Sequence, residues 1–359
     1  MDQGRMASMH ALISRSYPSR RIAGWTKLVT ILLIGFGLAG CRAGVPATAV
    51  VPPTVTQEYI VTATASPTAE PGRILLIIPD GVEDLLSREL RQAVGEIVTS
   101  HGEILDEVST ITDQRLDPYR MVIMLYPDEA MVQSARQNPP IDFIAIAAVD
   151  FPSEPNLWVI GNRGSGMDRV AFLSGFVTAM ITPELRVGAI ESTESRTGFQ
   201  LDQAFIRGGT FFCGLCRPEH PPYYSYPVSL LLPDISEAST QAALSAGANM
   251  SLRSIWVPET VLNLMDRIQL PQQMAFTGVF RPAALSDSQW IAAIRPAPEE
   301  RLREIWDLIA SDAPAEQLEI PILVENVNDS LLTPGKMRML EQIRDELVRG
   351  FIDTGATEP

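Results

Sequence analysis

Four stretches of this chain, RILLIIPD (73–80), YRMVIMLYPD (119–128), IDFIAIAAVD (141–150) and NLWVIGN (156–162), are apolar almost without interruption. A strand with one face in water alternates apolar and polar residues, whereas a strand covered on both faces does not. Between the first two runs, Leu86, Leu90, Val94 and Val98 recur at helical spacing within 83–100, which predicts an amphipathic helix. Continuous strands alternating with helices force an α/β architecture with a parallel sheet buried between helical layers. The pattern then restarts. Helices are expected over 167–182, 199–208, 236–246, 298–311 and 334–350. Strands are expected near Val187 and over 225–234, 253–258, 274–280, 289–296 and 319–326. The chain has 359 residues, 46% of them hydrophobic, enough for two such halves.

The start of the second half, DRVAFLSGFVTAMITPELRVGAIES (168–192), holds an apolar run from Val170 to Ile181. A membrane span needs roughly 20 apolar residues, and this run is shorter and flanked by Asp168, Arg169, Glu184 and Arg186. It reads as a buried helix stopped by Pro183. Ser174, Gly175 and Ala179 are small and allow a second backbone to pack close.

The longer export-type signal lies upstream. Arg15, Arg20, Arg21 and Lys27 precede LVTILLIGFGLAGC (28–41), a basic segment followed by an apolar core, as in a secretory signal peptide. Its end, Leu38-Ala39-Gly40-Cys41, resembles the bacterial lipobox, in which the cysteine is acylated and becomes the mature N-terminus. The expectation is a signal peptide over 1–40 and a membrane anchor at Cys41. Residues 41–72, rich in Pro, Thr, Ala and Val, then form an extended tether.

Composition narrows the chemistry. Net charge is -15, with no basic stripe, so nucleic acid is not an expected partner. The three histidines, His10, His101 and His220, show no metal-ligand spacing. No nucleophile–base pair and no phosphate-binding glycine loop with lysine is present, so neither catalysis nor a cofactor or metal is expected. GNRGSG (161–166) reads as a hinge loop, with an anion site before the following helix as the alternative. Cys213 and Cys216 in FFCGLCRP have three readings: a local disulfide, which suits an exported chain, a pair of free thiols, or a redox or zinc half-site.

Carboxylates end several predicted strands: Asp80 with Glu83 and Asp84, Asp128, Asp150, Glu191 and Glu194. Ligands of open parallel sheets bind beyond the carboxyl ends of the strands, so these are candidate ligand contacts, although Asp at such a place is also the usual helix N-cap. Tyr126, Phe151 and Phe280 stand at matching positions, where a flat ring would stack.

VAFLSGFVTAMITPELRVGAIES followed by FQLDQAFIRGG resembles the basic membrane protein (PnrA-like) family of substrate-binding lipoproteins, which serve ABC transporters that take up nucleosides. The matching elements are Phe172 to Met180, Arg186-Val187-Gly188, and Phe199, Phe205 and Gly208. PNLWVIGN upstream and ILVENVNDSLLTPGKMRMLEQIRDELVRGFI near the end match as well. The resemblance implies the type I periplasmic-binding fold: two Rossmann-like lobes, a hinge and a ligand between them. On that basis the first lobe is expected over 73–165 plus 316–359 and the second over 166–315, with crossings near 163–168, 281–290 and 313–320.

The departures concern the ligand contacts. The family's Gly-hydrophobic-Asp-Asp-Lys-Ser-Phe-Asn stretch appears as Gly81-Val82-Glu83-Asp84-Leu85-Leu86-Ser87-Arg88, its Gly-Gly as Glu191-Ser192, and its Asp-x-Asp falls in WVPETV, which has no such pair. The resemblance carries Asp84 over as a ligand contact and places Arg88 at the asparagine. The function it implies is an extracytoplasmic solute-binding lipoprotein. It would capture a small polar ligand, a nucleoside first among them, and deliver it to an ABC permease. The alternatives are a ligand-sensing lipoprotein of a signalling system and an envelope scaffold with a degraded cleft.

Overall fold

The computed structural model describes residues 71–112, 114–192, 201–311 and 313–356. The expected signal peptide, Cys41 and most of the tether, as well as Glu194 and Phe199, lie outside them. The first half runs β1 (Arg73–Ile77), α1 (Leu85–Ser100), β2 (Ile104–Val108), β3 (Met121–Leu125), α2 (Glu129–Gln137), β4 (Asp142–Ile146) and β5 (Leu157–Ile160). The strands pair in parallel in the order β2-β1-β3-β4-β5. β1 and β3 to β5 are buried on both faces, apart from the first residues of β1 and β4, which is why their sequences do not alternate. β2 is the exposed edge, with Asp106 and Glu107 among its five residues, and no apolar run announces it.

The second half runs α3 (Met167–Ile181), β6 (Val187–Ser192), α4 (Leu201–Cys213), β7 (Val228–Leu232), α5 (Glu237–Asn249), β8 (Ser254–Trp256), α6 (Glu259–Leu262), β9 (Ala275–Gly278) and β10 (Trp290–Pro296). The chain then returns to the first sheet with α7 (Pro298–Ala310) and β11 (Gln317–Leu318), and crosses back for β12 (Ile322–Glu325) and α8 (Pro334–Val348). The second sheet has the order β12-β10-β9-β8-β6-β7, parallel except at β12. The apolar run in α3 is packed inside this lobe: Arg169 through Ala179 are all buried. Among the described residues no helix is long and apolar enough to cross a membrane.

Two of the expected lobe boundaries are corrected. The second crossing lies at Pro296–Pro298, not at 281–290, because β10 continues the second sheet beside β9. Helix α7 belongs to the first lobe: Leu302, Ile305, Trp306 and Ile309 join the core of the first sheet with Leu90 and Val94 of α1. Conversely, β12 and α8 belong to the second lobe, where Leu340, Ile343 and Leu347 pack with α3. The lobes are therefore 73–162 with 298–320, and 163–296 with 321–356. Swapping these two C-terminal segments keeps both sheets at six strands.

Each crossing is tied down electrostatically. The first runs through GNRGSG, where Gly164 and Gly166 take φ 81° and 79°, a region that favours glycine. Beside it, Arg169, 3% exposed, donates to Glu319 of the third crossing at 2.9 Å. At the second crossing Arg295 donates to the buried Glu299 at 2.6 Å and also pairs with Glu325 of β12.

Helices α3 and α4 meet at two glycines. A Cβ on Gly175 would stand 2.0 Å from the carbonyl oxygen of Phe205, and one on Gly208 1.9 Å from that of Phe172. The absent side chains let the two backbones touch. α4 ends at Cys213, whose sulfur is bonded to that of Cys216.

Candidate functional site

A cavity of about 530 Å³ opens at the carboxyl ends of the strands of both sheets, the place where open parallel sheets bind ligands. From the first lobe come the loop after β1 with the first turns of α1, and Tyr126 after β3. From the second come Glu191 and Ser192 of β6, Trp256 of β8, and Glu259, Thr260 and Asn263 around α6. Ser165 and Met167 of the first crossing and Pro296 of the second close its back.

Asp84 is the best-placed candidate. It is the N-cap of α1: one carboxylate oxygen accepts the Ser87 N–H at 2.8 Å, which answers an orphan amide of the first turn. The other oxygen accepts from the Tyr126 hydroxyl at 3.0 Å. Tyr126 holds φ 51°, an uncommon conformation for a non-glycine residue. The helix cap and a place in the cavity wall thus fall on one side chain.

Glu259 reaches across from the second lobe. Its carboxylate accepts the Leu85 N–H and the Arg88 guanidinium, both at 2.9 Å. Burial raises its pKa, and the charge of Asp84 adds to that, while Leu85 N–H and Arg88 pull it back. The N-terminus of α1, a natural anion site, is therefore filled by two of the protein's own carboxylates, one from each lobe. Arg88 lies outside the cavity wall, its charge engaged by Glu259.

Glu191 sits at the end of β6 beside Asp202 of α4. Burial, then the Asp202 charge and a side-chain hydrogen bond with it, push Glu191 up to about 7, against a backbone hydrogen bond from Asp202. A carboxyl group whose pKa is raised by folding stabilises the fold while protonated. That contribution is fully present below the ordinary value of 4.5 and is lost as pH rises through about 7. Allowing for solvent screening at this half-exposed group, the effect is about 1 kcal/mol. Wild-type protein is expected to lose on the order of 2 °C of melting midpoint relative to Glu191→Gln across that window, as read by melts at acid and at mildly alkaline pH. Parallel curves would show that Glu191 titrates normally.

The remaining expected contacts divide cleanly. Glu83 lines the cavity and pairs with Arg91 at 3.3 Å. Asp80, Asp128, Asp150, Phe151 and Phe280 do not line it. Asp80 and Asp150 are exposed. Phe151 packs on the far face of the first sheet, with its N–H on the Asn162 side chain, and Phe280 packs on the second-lobe core. Cys213 and Cys216 are likewise outside the wall.

Trp256 and Glu259 escape sequence reasoning. Trp256 is 1% exposed and stacks on Phe205 with ring centroids 6.3 Å apart. Both residues lie in WVPETV, the stretch singled out for lacking the family's acidic pair. The available signal is a lone glutamate on the first turn after a strand end.

Two α/β lobes, each built on a six-stranded and largely parallel sheet, are crossed three times by the chain and share one cavity. No family model and no curated protein matches the sequence. Solved structures do. A solute-binding protein of an ABC transporter system from Conexibacter woesei matches with a TM-score of 0.53 at 14% identity, over 79% of this chain and 98% of that one. One from Aeropyrum pernix gives 0.55 at 9% identity, over 79% and 93%. A transcriptional activator of the comK gene from Bacillus halodurans gives 0.52 at 13% identity, over 80% and 100%. At these identities the likeness is one of fold.

Proposed function

We propose that this chain is an extracytoplasmic solute-binding protein that captures a small polar ligand between its lobes and presents it to an ABC permease. The observation that carries the reading is the cavity itself: both sheets turn their carboxyl ends to it, and three crossings provide the hinge. Two solved structures with this fold are solute-binding proteins of ABC systems, which supports the same role here. A ligand touching Asp84 on one side and Glu191 or Trp256 on the other stabilises the closed arrangement, and the closed form is what a permease distinguishes. No covalent step is involved. Lipidation at Cys41, with the tether to residue 72, holds the lobes on the outer face of the membrane. Nucleosides are the first ligand class to try, since ribose hydroxyls suit carboxylate acceptors.

Thermal unfolding against nucleosides, bases, sugars, amines and amino acids tests this. A ligand that binds only the folded protein adds about 2.7 kcal/mol of stability at a hundredfold excess over its Kd. Asp84→Asn keeps a good N-cap but removes the charge, and is expected to weaken binding by roughly tenfold to a hundredfold with little change in the unliganded midpoint. If no class moves the midpoint, the capture reading fails and the scaffold alternative takes its place.

A further inference from the structure

We propose that the solute this cleft takes is an organic cation, a small molecule bearing an ammonium or guanidinium group on an apolar or flat body with at least one hydrogen-bond acceptor. The inference rests on the solute-binding reading and names the ligand's charge within it. The first ground is the wall's own charge. Its ionisable members include Glu83, Asp84, Glu89, Glu191 and Glu259, and no Lys, Arg or His lines it among the described residues. The neighbouring cations are engaged elsewhere: Arg88 on Glu259, Arg91 on Glu107 at 2.8 Å and on Glu83. That leaves Asp84, Glu89 and Glu191 without a cationic partner among the described residues. Glu191 lies beside Asp202, whose charge opposes its ionisation. A cation set beside Glu191 in the wall favours its ionised form, and an anion opposes it.

The second ground is independent of charge. Two buried polar groups in the wall have no hydrogen-bond partner among the described residues: the indole N–H of Trp256, 1% exposed, and the hydroxyl of Ser165, 4% exposed. Buried donors are ordinarily satisfied, so these call for an acceptor on an occupant. Leu86, Met167, Ile190, Leu201 and Val279 supply apolar wall, which suits the body of an organic molecule and not a hydrated metal ion. The α1 N-terminus, the anion-binding feature that the first lobe presents to this cavity, is already occupied by Asp84 and Glu259, which disfavours carboxylate and phosphate ligands.

Matched probes decide the matter on the full chain in detergent. Calorimetric titrations would compare adenosine with its analogue in which the primary alcohol is replaced by an amine, and phenethyl alcohol with phenethylamine and phenylacetate. The expected result is that each amine binds at least about tenfold more tightly than its neutral partner. Phenylacetate is expected not to bind, and Glu191→Gln to narrow the amine preference by about tenfold. A Glu191→Gln melt beside the wild type confirms that the variant is folded. Neutral probes binding as tightly as the amines would overturn the charge assignment while leaving solute capture standing. Binding of phenylacetate above phenethylamine would do the same. Silence from every probe on both proteins would overturn solute capture together with this inference.

Discussion

Replacing Gly208 with alanine is expected to destabilise the protein by about 3 kcal/mol, the upper end of what overpacking a core costs, and to lower the melting midpoint by on the order of 8 °C. The new Cβ would stand 1.9 Å from the Phe172 carbonyl oxygen. That atom is backbone in the middle of α3, so no rotamer change removes the clash and the two helices must separate. Gly175→Ala meets the Phe205 carbonyl oxygen in the same way, and the two effects are expected not to add, because the first separation makes room for the second. Gly95→Ala is the control. It lies in α1 with nothing within 4 Å of the new Cβ, and exchange of a helical glycine for alanine there is expected to stabilise by about 0.5–1 kcal/mol. Equal midpoints for Gly208→Ala and wild type would show that the α3–α4 seam is looser than backbone contact.

Arg88→Ala is expected to cost about 2 kcal/mol, more than a surface ion pair warrants, because of what it leaves behind. Arg88 is 44% exposed but its partner Glu259 only 17%. The cost falls between the roughly 0–1 kcal/mol of exposed pairs and the roughly 3–5 kcal/mol of breaking a fully buried one. After the substitution the Glu259 carboxylate, whose pKa burial has already raised, keeps only the Leu85 N–H. Adding Glu259→Gln removes the stranded charge while keeping an acceptor for that amide, so the double variant is expected to be more stable than Arg88→Ala alone. Melts of the four proteins give the coupling directly. If the double variant is the less stable, Glu259 is held by something other than Arg88. Because this pair joins α1 of the first lobe to α6 of the second, its loss is also expected to raise the radius of gyration in small-angle scattering.

Much of the fold is legible in the residues, for physical reasons that differ from one element to the next. Strands buried on both faces must be apolar throughout, so β1, β3, β4 and β5 stand out, and the small residues of α3 mark a close helix contact from the sequence alone. Their partner glycine, Gly208, is visible only as part of a family pattern. β2 is invisible because an edge strand carries Asp106 and Glu107 as readily as a loop does. The lobe membership of α7 and of β12 with α8 is misread for a related reason. Each element's apolar face says that it is buried, and nothing local says against which sheet. The candidate site divides in the same way. Asp84 and Glu191 follow from the rule that carboxylates at strand ends face the ligand side. Asp150 and Phe151 satisfy the same rule and lie elsewhere, since loops of different lengths carry equivalent positions to different places. Glu259 comes from the opposite lobe. Only the crossings between the sheets bring its carboxylate within hydrogen-bonding reach of Leu85, 174 residues away along the chain.

Whether a solute is held between the lobes is decided by hydrogen–deuterium exchange along the full chain, with and without whichever probe most raises the melting midpoint. A ligand held between the lobes protects both at once: the Asp84–Glu89 turn and the loop at Ser165 together with Glu191–Ser192 and Trp256–Asn263. Protection confined to one lobe, or lying at segments that do not line the cavity, would mean that no solute is held between the lobes.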